Sequence, residues 1–331
     1  MNNIGTELAR SYRTILEIIQ PELEQVEELL RQELSSDNDF VQKMLQHPMF
    51  WGGKRIRPAL VLLSGRALQP GNLTPNHHVV AAVLEMIHAA TLVHDDILDE
   101  AMVRRNCESL NQQWGSQLSV LLGDFLFSHA FTLASTTGST FACQQIGLAT
   151  NAVCAGEINQ ITSQGNFELT ESDYLHIIDG KTGRLCSVAC LLGAHFSDAP
   201  AETATILESI GLYYGRAFQI IDDVLDIRGN EAKVGKSLGS DYRQGKLTLP
   251  LISALQTSGA ALRDEIVARM RKGEFKPEEV SSFIDQHGGF DYAFSRATEY
   301  VHQAQALLQE VSPNCAQPMM DLGDFILTRQ S

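Results

Sequence analysis

No proline lies between Pro75 and Pro200, or between Pro200 and Pro250. Proline breaks helix interiors, so these gaps leave room for long helices. Strand-like alternation bounded by turn dipeptides is scarce as well. The six cysteines (107, 143, 154, 186, 190 and 315) show no CxxC pairing. Cys186 and Cys190, four apart, make only a weak metal site, and the six read as reduced core cysteines. No apolar stretch reaches the roughly 18 residues that a membrane span needs, so no transmembrane segment is expected. Met1 to Gln20 mixes Glu and Arg with apolar residues and lacks a signal-peptide core. These absences point to the cytoplasm. Basic residues are in deficit, 25 Lys and Arg against 40 Asp and Glu, for a formal charge of −15. Without a basic face, nucleic-acid binding is not expected.

What is present fits a globular chain of 331 residues, 44% hydrophobic and 20% charged. No composition shift marks a linker, so residues 1–331 read as one domain, with 1–35 an N-terminal amphipathic helical segment. Leu23, Val26, Leu29, Leu30 and Leu34 form one helical stripe. Val80, Val83, Leu84, Ile87 and Thr91 form another. Breaks fall at Ser35–Asp39, Pro70–Pro75, Thr136–Ser139, Gly165–Thr170, Ser197–Ala201, Gly229–Gly245 and Gly288–Gly289. The expectation is an all-α bundle of about ten or more helices.

One short acidic pattern occurs twice, as Asp95-Asp96-Ile97-Leu98-Asp99 and Asp222-Asp223-Val224-Leu225-Asp226. Each ends an apolar run that reads as helix. Residues four apart share a helix face, so Asp95 and Asp99 project together, as do Asp222 and Asp226. Carboxylates stacked in this way repel unless cations intervene. Two such clusters facing one another suit hard divalent ions, Mg²⁺ above all. Mg²⁺ held by few carboxylates completes its shell with water and substrate phosphates. The repeat therefore points to a metal-held diphosphate, and metal ions reverse the local sign in an acidic chain.

Basic groups stand at matching places. Gly52-Gly53-Lys54-Arg55-Ile56-Arg57-Pro58 puts three cations in four residues and could form a phosphate shelf. His88 lies two helical turns before Asp95, on nearly the same face. Arg104 and Arg105 follow the first motif at once, within reach of a diphosphate. Lys181-Thr182 sits mid-chain, and Gln219 precedes Asp222 by three residues. Gly235-Lys236-Ser237 is not a P-loop, because its spacing from Gly229 is wrong and a helix precedes it. From Val79 to His94 there is no Phe, Tyr or Trp. Small Ala90 and Thr91 lie near the carboxylates, which suits an apolar tunnel under the metal site as well as ordinary core packing. Phe125, Phe127 and Phe131 are candidates for its floor.

Taken together, these segments resemble the trans-isoprenyl diphosphate synthases, the head-to-tail prenyltransferases. The likeness runs through GGKRIRP, LVHDDILDE, LLGDFLFS, KTGRL, FQIIDDVLDI, GKLTLP and LGDFILTR. It is greatest to the bacterial long-chain polyprenyl (for example octaprenyl) diphosphate synthases that supply quinone side chains. The resemblance implies an isoprenoid synthase fold around a central cavity, usually as a homodimer. It implies that Asp95, Asp96, Asp99, Asp222, Asp223 and Asp226 bind Mg²⁺, two or three ions per site, with Mn²⁺ as a substitute. Gly53, Lys54, Arg57, His88 and Arg105 would then hold isopentenyl diphosphate. Arg104, Lys181, Thr182, Gln219, Lys236 and Lys246 would contact the allylic partner, farnesyl or geranylgeranyl diphosphate. Asp95, Asp96, Asp99, Asp222 and Lys181 would be the catalytic set, and Ala90, Thr91, Phe127 and Phe131 would bear on chain length. Two places depart from the pattern: Asn106-Cys107-Glu108-Ser109 replaces Gly-x-Pro-Thr, and Ser240 stands where an acidic residue is common. A short-chain synthase, a terpene cyclase and a non-catalytic partner subunit are the alternatives. The GGKRIRP shelf argues against the cyclase, and the six intact aspartates argue against the partner subunit.

Overall fold

The computed structural model describes residues 12–69, 71, 73–228, 239–312 and 316–329. Lys236 and Cys315 lie outside the described residues. The two proline-poor stretches hold four long helices: α4 (Pro75–Leu98), α6 (Ser116–Ser135), α7 (Thr140–Thr162) and α10 (Ala201–Arg228). α1 (Gln20–Glu33), α2 (Asp39–Leu45) and α3 (Ile56–Leu68) precede them, and α5 (Leu110–Trp114) sits between α4 and α6. α8 (Glu171–Ile178) and α9 (Arg184–His195) flank a π-helical turn, Asp179–Gly183. After α10 come α11 (Ser240–Arg243), α12 (Leu249–Thr257), α13 (Ala260–Arg271), α14 (Pro277–Gln286), α15 (Gly289–Val311) and α16 (Gln317–Thr328). The all-α expectation holds. The exception among the described residues is one short hairpin, β1 (Val103–Arg104) against β2 (Cys107–Glu108).

Burial explains the layering. Leu23, Val26, Leu30 and Leu34 are buried as the stripe predicts, and so are Val80, Val83, Leu84 and Ile87. α3 and α9 are buried along most of their length, with Ala59–Leu63 and Leu185–Ala194 buried, and they form the centre of the bundle. α10 packs along α9 and α15, while α4 lies along α3 and α6. Both acidic motifs therefore end helices that border the central layer. Gly211 is where α10 crosses α9: a Cβ there would stand 2.3 Å from the Cys186 carbonyl oxygen.

Two expectations are corrected. α6 is 20 residues long with a mean hydropathy of 1.4, long and apolar enough by length and composition to cross a membrane. The scattered Ser119, Asp124, Ser128 and His129 break it into short apolar runs, so it does not read as one stretch. Core helices also pass this test, which makes one such helix weak evidence for a span; 39% of the apolar window is buried here. Among the described residues the cysteines are free as expected, but only Cys186 and Cys190 are buried; Cys154 is exposed.

Gly211→Ala should lower the unfolding free energy by about 1–3 kcal/mol, because the added methyl meets backbone that cannot swing aside. A urea midpoint equal to that of the parent chain would show that this crossing is slack.

Candidate active site

The first motif closes α4. Asp99 caps the helix, its N–H bonded to the Asp95 carbonyl at 2.8 Å, and Glu100 then turns the chain with a positive φ. The three aspartates do not present alike. Asp96 is fully buried, and Arg104 donates to its Oδ1 at 2.5 and 2.7 Å. Burial raises the Asp96 pKa, and the Arg104 charge opposes that rise. Asp95 and Asp99 remain partly exposed. Lys181 Nζ lies 3.9 Å from Asp95, and Lys246 Nζ lies 2.8 Å from Asp99.

The second motif, near the end of α10, is likewise divided. Arg329 Nη1 meets Asp222 at 2.7 Å. Asp223 is buried and accepts from the Tyr174 hydroxyl at 2.6 Å and from Gln219 Nε2 at 2.9 Å. With a phenol and an amide beside it, burial pushes its carboxyl up to about 7, and Asp241 adds to the rise. Gln219 thus serves Asp223, one turn on, and its Oε1 accepts from Thr182 at 2.6 Å. Asp226 is buried and accepts from the Asp241 N–H at 3.2 Å.

The segment after α11 ties the motifs together. Asp241 Oδ1 and Asp99 Oδ1 lie 3.9 and 2.8 Å from the same Lys246 ammonium. Gln244 also donates to the Asp99 carbonyl at 3.2 Å. The two motif helix ends are thus linked in two steps, Asp99 through Lys246 to Asp241, and the Asp241 N–H to Asp226.

Beside them is the basic group. Arg55 and Arg105 both adopt positive φ, near +51°. Arg55 points inward to Glu27 (2.5 Å) and Glu85 (2.7 Å), so it braces α1 against α4 and leaves the shelf. This corrects the expectation of three shelf cations. Arg105 donates to the carbonyls of Met49 and Gly52 at 2.6 Å. Its guanidinium fills the space a Cβ would need at Gly53, 2.6 Å away, which explains the glycine. Arg57 Nε is buried with no hydrogen-bond partner. Burial, then the charges of Arg57 and Arg105, hold the partly buried His88 well below the usual imidazole range. Lys54 is lowered to about 8, by burial first and then by Arg329, while Asp222 opposes the shift. The departure at Asn106-Cys107 forms the hairpin turn: Asn106 takes φ +61°, and Cys107 Sγ donates to the Arg104 carbonyl at 2.8 Å.

Lys181 and Thr182 sit on the π turn, where a shifted hydrogen-bond pattern lifts two side chains toward the motifs. Arg216 clamps that turn through both Asp179 oxygens at 2.6 Å.

These donors fit a divalent cation of the Mg²⁺ kind. Asp95, Asp99 and Asp222 offer partly exposed, oxygen-only ligands. Among the described residues no three His, Cys, Asp or Glu side chains form a ready cage. A cation here would draw further ligands from water and phosphate, as Mg²⁺ does. The orphaned Arg57 Nε fits an anion beside it.

A family model described as polyprenyl synthetase matches residues 38–286. The chain belongs to the polyprenyl synthetase family. It is a prenyltransferase. It is 35% identical to the all-trans-nonaprenyl-diphosphate synthase (geranyl-diphosphate specific) of Rhodobacter capsulatus, covering 86% of this chain and 87% of that one. It is 33% identical to the octaprenyl diphosphate synthase of Escherichia coli K12, covering 89% and 91%. The fold matches a polyprenyl synthase from Caulobacter crescentus CB15 complexed with calcium and isoprenyl diphosphate, with a TM-score of 0.91 and 30% identity, covering 97% and 98%.

Sequence reasoning missed Arg329, Tyr174, Glu157, Asp241 and Gln244, which reach the site only through tertiary packing. Phe131 is 37% exposed, off the side of α6 that buries Leu126, Ala130 and Leu133. Phe127 is half-buried against His94, Ala90 is fully buried, and Thr91 bonds the His88 carbonyl.

Asp96→Asn would take from Arg104, which is partly exposed, the carboxylate it meets most closely. The expected loss is about 1–3 kcal/mol of unfolding free energy, read from urea denaturation. An unchanged midpoint would mean that Asp96 does not anchor Arg104.

Proposed function

We propose that this prenyltransferase is a trans-polyprenyl diphosphate synthase, extending farnesyl or geranylgeranyl diphosphate with isopentenyl diphosphate to a long-chain product for isoprenoid quinones. The observation that carries this reading is the linkage of the two aspartate motifs, Asp99 through Lys246 to Asp241 and Asp241 on to Asp226, with a basic cluster alongside. Asp95, Asp99 and Asp222 would hold Mg²⁺, with Asp226 behind them. Asp96 and Asp223, turned inward, orient Arg104 and Gln219. Mg²⁺ bound there supplies the charge that stabilises the leaving diphosphate.

The chain's own side chains do the rest. Lys181, Lys246 and Arg104 face the allylic diphosphate and stabilise negative charge as its C–O bond breaks and the electron pair leaves with the diphosphate. Lys54, Arg57 and Arg105 hold isopentenyl diphosphate so that its double bond attacks the allylic cation and forms the new C–C bond. Loss of a proton to the departing diphosphate restores a double bond. Each buried methylene contributes ~0.8 kcal/mol, so an apolar channel beside Ala90 retains a growing tail.

A homodimer is part of this reading. α6 and α7 expose Leu121 (63%), Leu148 (54%) and Ile158 (61%), apolar side chains that a second copy would cover.

The test is incubation with Mg²⁺, farnesyl diphosphate and labelled isopentenyl diphosphate, with products sized by chromatography. Products longer than twenty carbons are expected from the parent chain, and Asp95→Ala should turn over orders of magnitude more slowly while remaining folded. No incorporation by the parent chain would sink the assignment. The Lys54 value adds a pH signature. Its ammonium is present below about pH 8 and is lost above it, so kcat/KM for isopentenyl diphosphate should fall as pH rises through 8. Lys54→Arg should flatten that limb; an identical profile would assign it to another group.

A further inference from the structure

Lys181 stands between two carboxylates and is closer to the one outside the motif. Its Nζ is 2.5 Å from Glu157 Oε1 and 3.9 Å from Asp95 Oδ2, and it donates to Gln160 Oε1 at 3.0 Å. Glu157 and Gln160 are three apart on α7 and share a face. Gly156, beside them, brings α7 against the π turn: a Cβ at Gly156 would stand 2.8 Å from the Lys181 amide nitrogen. From the other side, a Cβ at Gly180 would stand 2.7 Å from the Ala152 carbonyl oxygen. The cradle and the lysine backbone are thus fixed at close range. What remains free is a four-carbon stem carrying a point charge. Released from Glu157, that ammonium has Asp95 as its next carboxylate partner, the oxygen a divalent cation would use.

We propose that Glu157, with Gln160, is a positioning residue that holds the Lys181 ammonium off Asp95, so that the carboxylate stays available to a divalent cation and the lysine stays aimed at the diphosphate. The proposal rests on the metal-diphosphate reading of the site. The two carboxylates then have opposite tasks around one cation: Glu157 retains it, and Asp95 must be kept clear of it. Gly156 matters because its missing side chain sets the depth at which the cradle engages.

The experiment measures Mn²⁺ affinity in the presence of inorganic diphosphate, from the spectroscopic signal of free Mn²⁺, with no turnover required. Glu157→Gln keeps shape and removes the charge. Its Mn²⁺ affinity should fall about tenfold, in line with the effect of one displaced charge at 4–6 Å. In a Lys181→Gln background the further change Glu157→Gln should leave Mn²⁺ affinity within about twofold, since no ammonium is left to occupy Asp95. Equal affinity of those two variants also shows that losing the Glu157 charge leaves the protein folded. A double variant about tenfold weaker than Lys181→Gln would make Glu157 itself a metal ligand and overturn the proposal, as would unchanged affinity in the Glu157→Gln single variant. A parent chain that binds no Mn²⁺ with diphosphate would overturn the reading of the whole site.

Discussion

Concentrated negative charge is the constraint to which the centre of this protein answers. Six aspartates on two helix ends would repel one another in a poorly hydrated bundle, and the fold answers with cations, Arg104 from just beyond the first motif and the others from distant segments. Arg104 takes Asp96, Lys246 takes Asp99, Lys181 approaches Asp95 and Arg329 takes Asp222. Asp223 shows what happens otherwise: held by a phenol and an amide, it is pushed toward the neutral form. The cations that balance the carboxylates are also the groups best placed to meet phosphate once metal ions take over that balance. A single set of side chains thereby serves both states, with small movements at the ends of long stems.

Backbone strain gathers around the same place. Arg55, Glu100, Arg105 and Asn106 have positive φ and lie along or just behind the basic group and the first motif. For residues with a Cβ this conformation costs roughly 1–2 kcal/mol each. Two of them are held by specific bonds, Arg55 by two carboxylates and Arg105 by two carbonyls. Strain so determined fixes guanidinium directions before any ligand arrives.

Much of this was legible from spacing. Proline-free stretches announced α4, α6, α7 and α10, and the stripe through Leu23 and Leu30 announced the buried face of α1. The repeated aspartates announced facing helices. Finer assignments failed where backbone conformation decides. Nothing in Lys54-Arg55-Ile56-Arg57 says that a left-handed residue sends Arg55 inward and leaves Arg57 at the site. The hairpin is two residues per strand, too short for alternation to register. Phe131 lies one helical turn beyond Phe127, yet the drift of a 3.6-residue helix moves it off the core edge. Glu157 and Arg329 carried no local signal, because their partners are far away in sequence.

The π turn at Asp179–Gly183 has a bearing on how this segment can change in length. A π turn holds one residue more than the helix around it, so α8 and α9 are in effect a single helix with an insertion. Removing one residue there would let a regular helix form, and everything on one side of the junction would rotate by about 100° relative to the other. Lys181 and Thr182 would then face a neighbouring helix, whatever their identity. Across these five residues the number of residues is part of the site, alongside the side chains they carry.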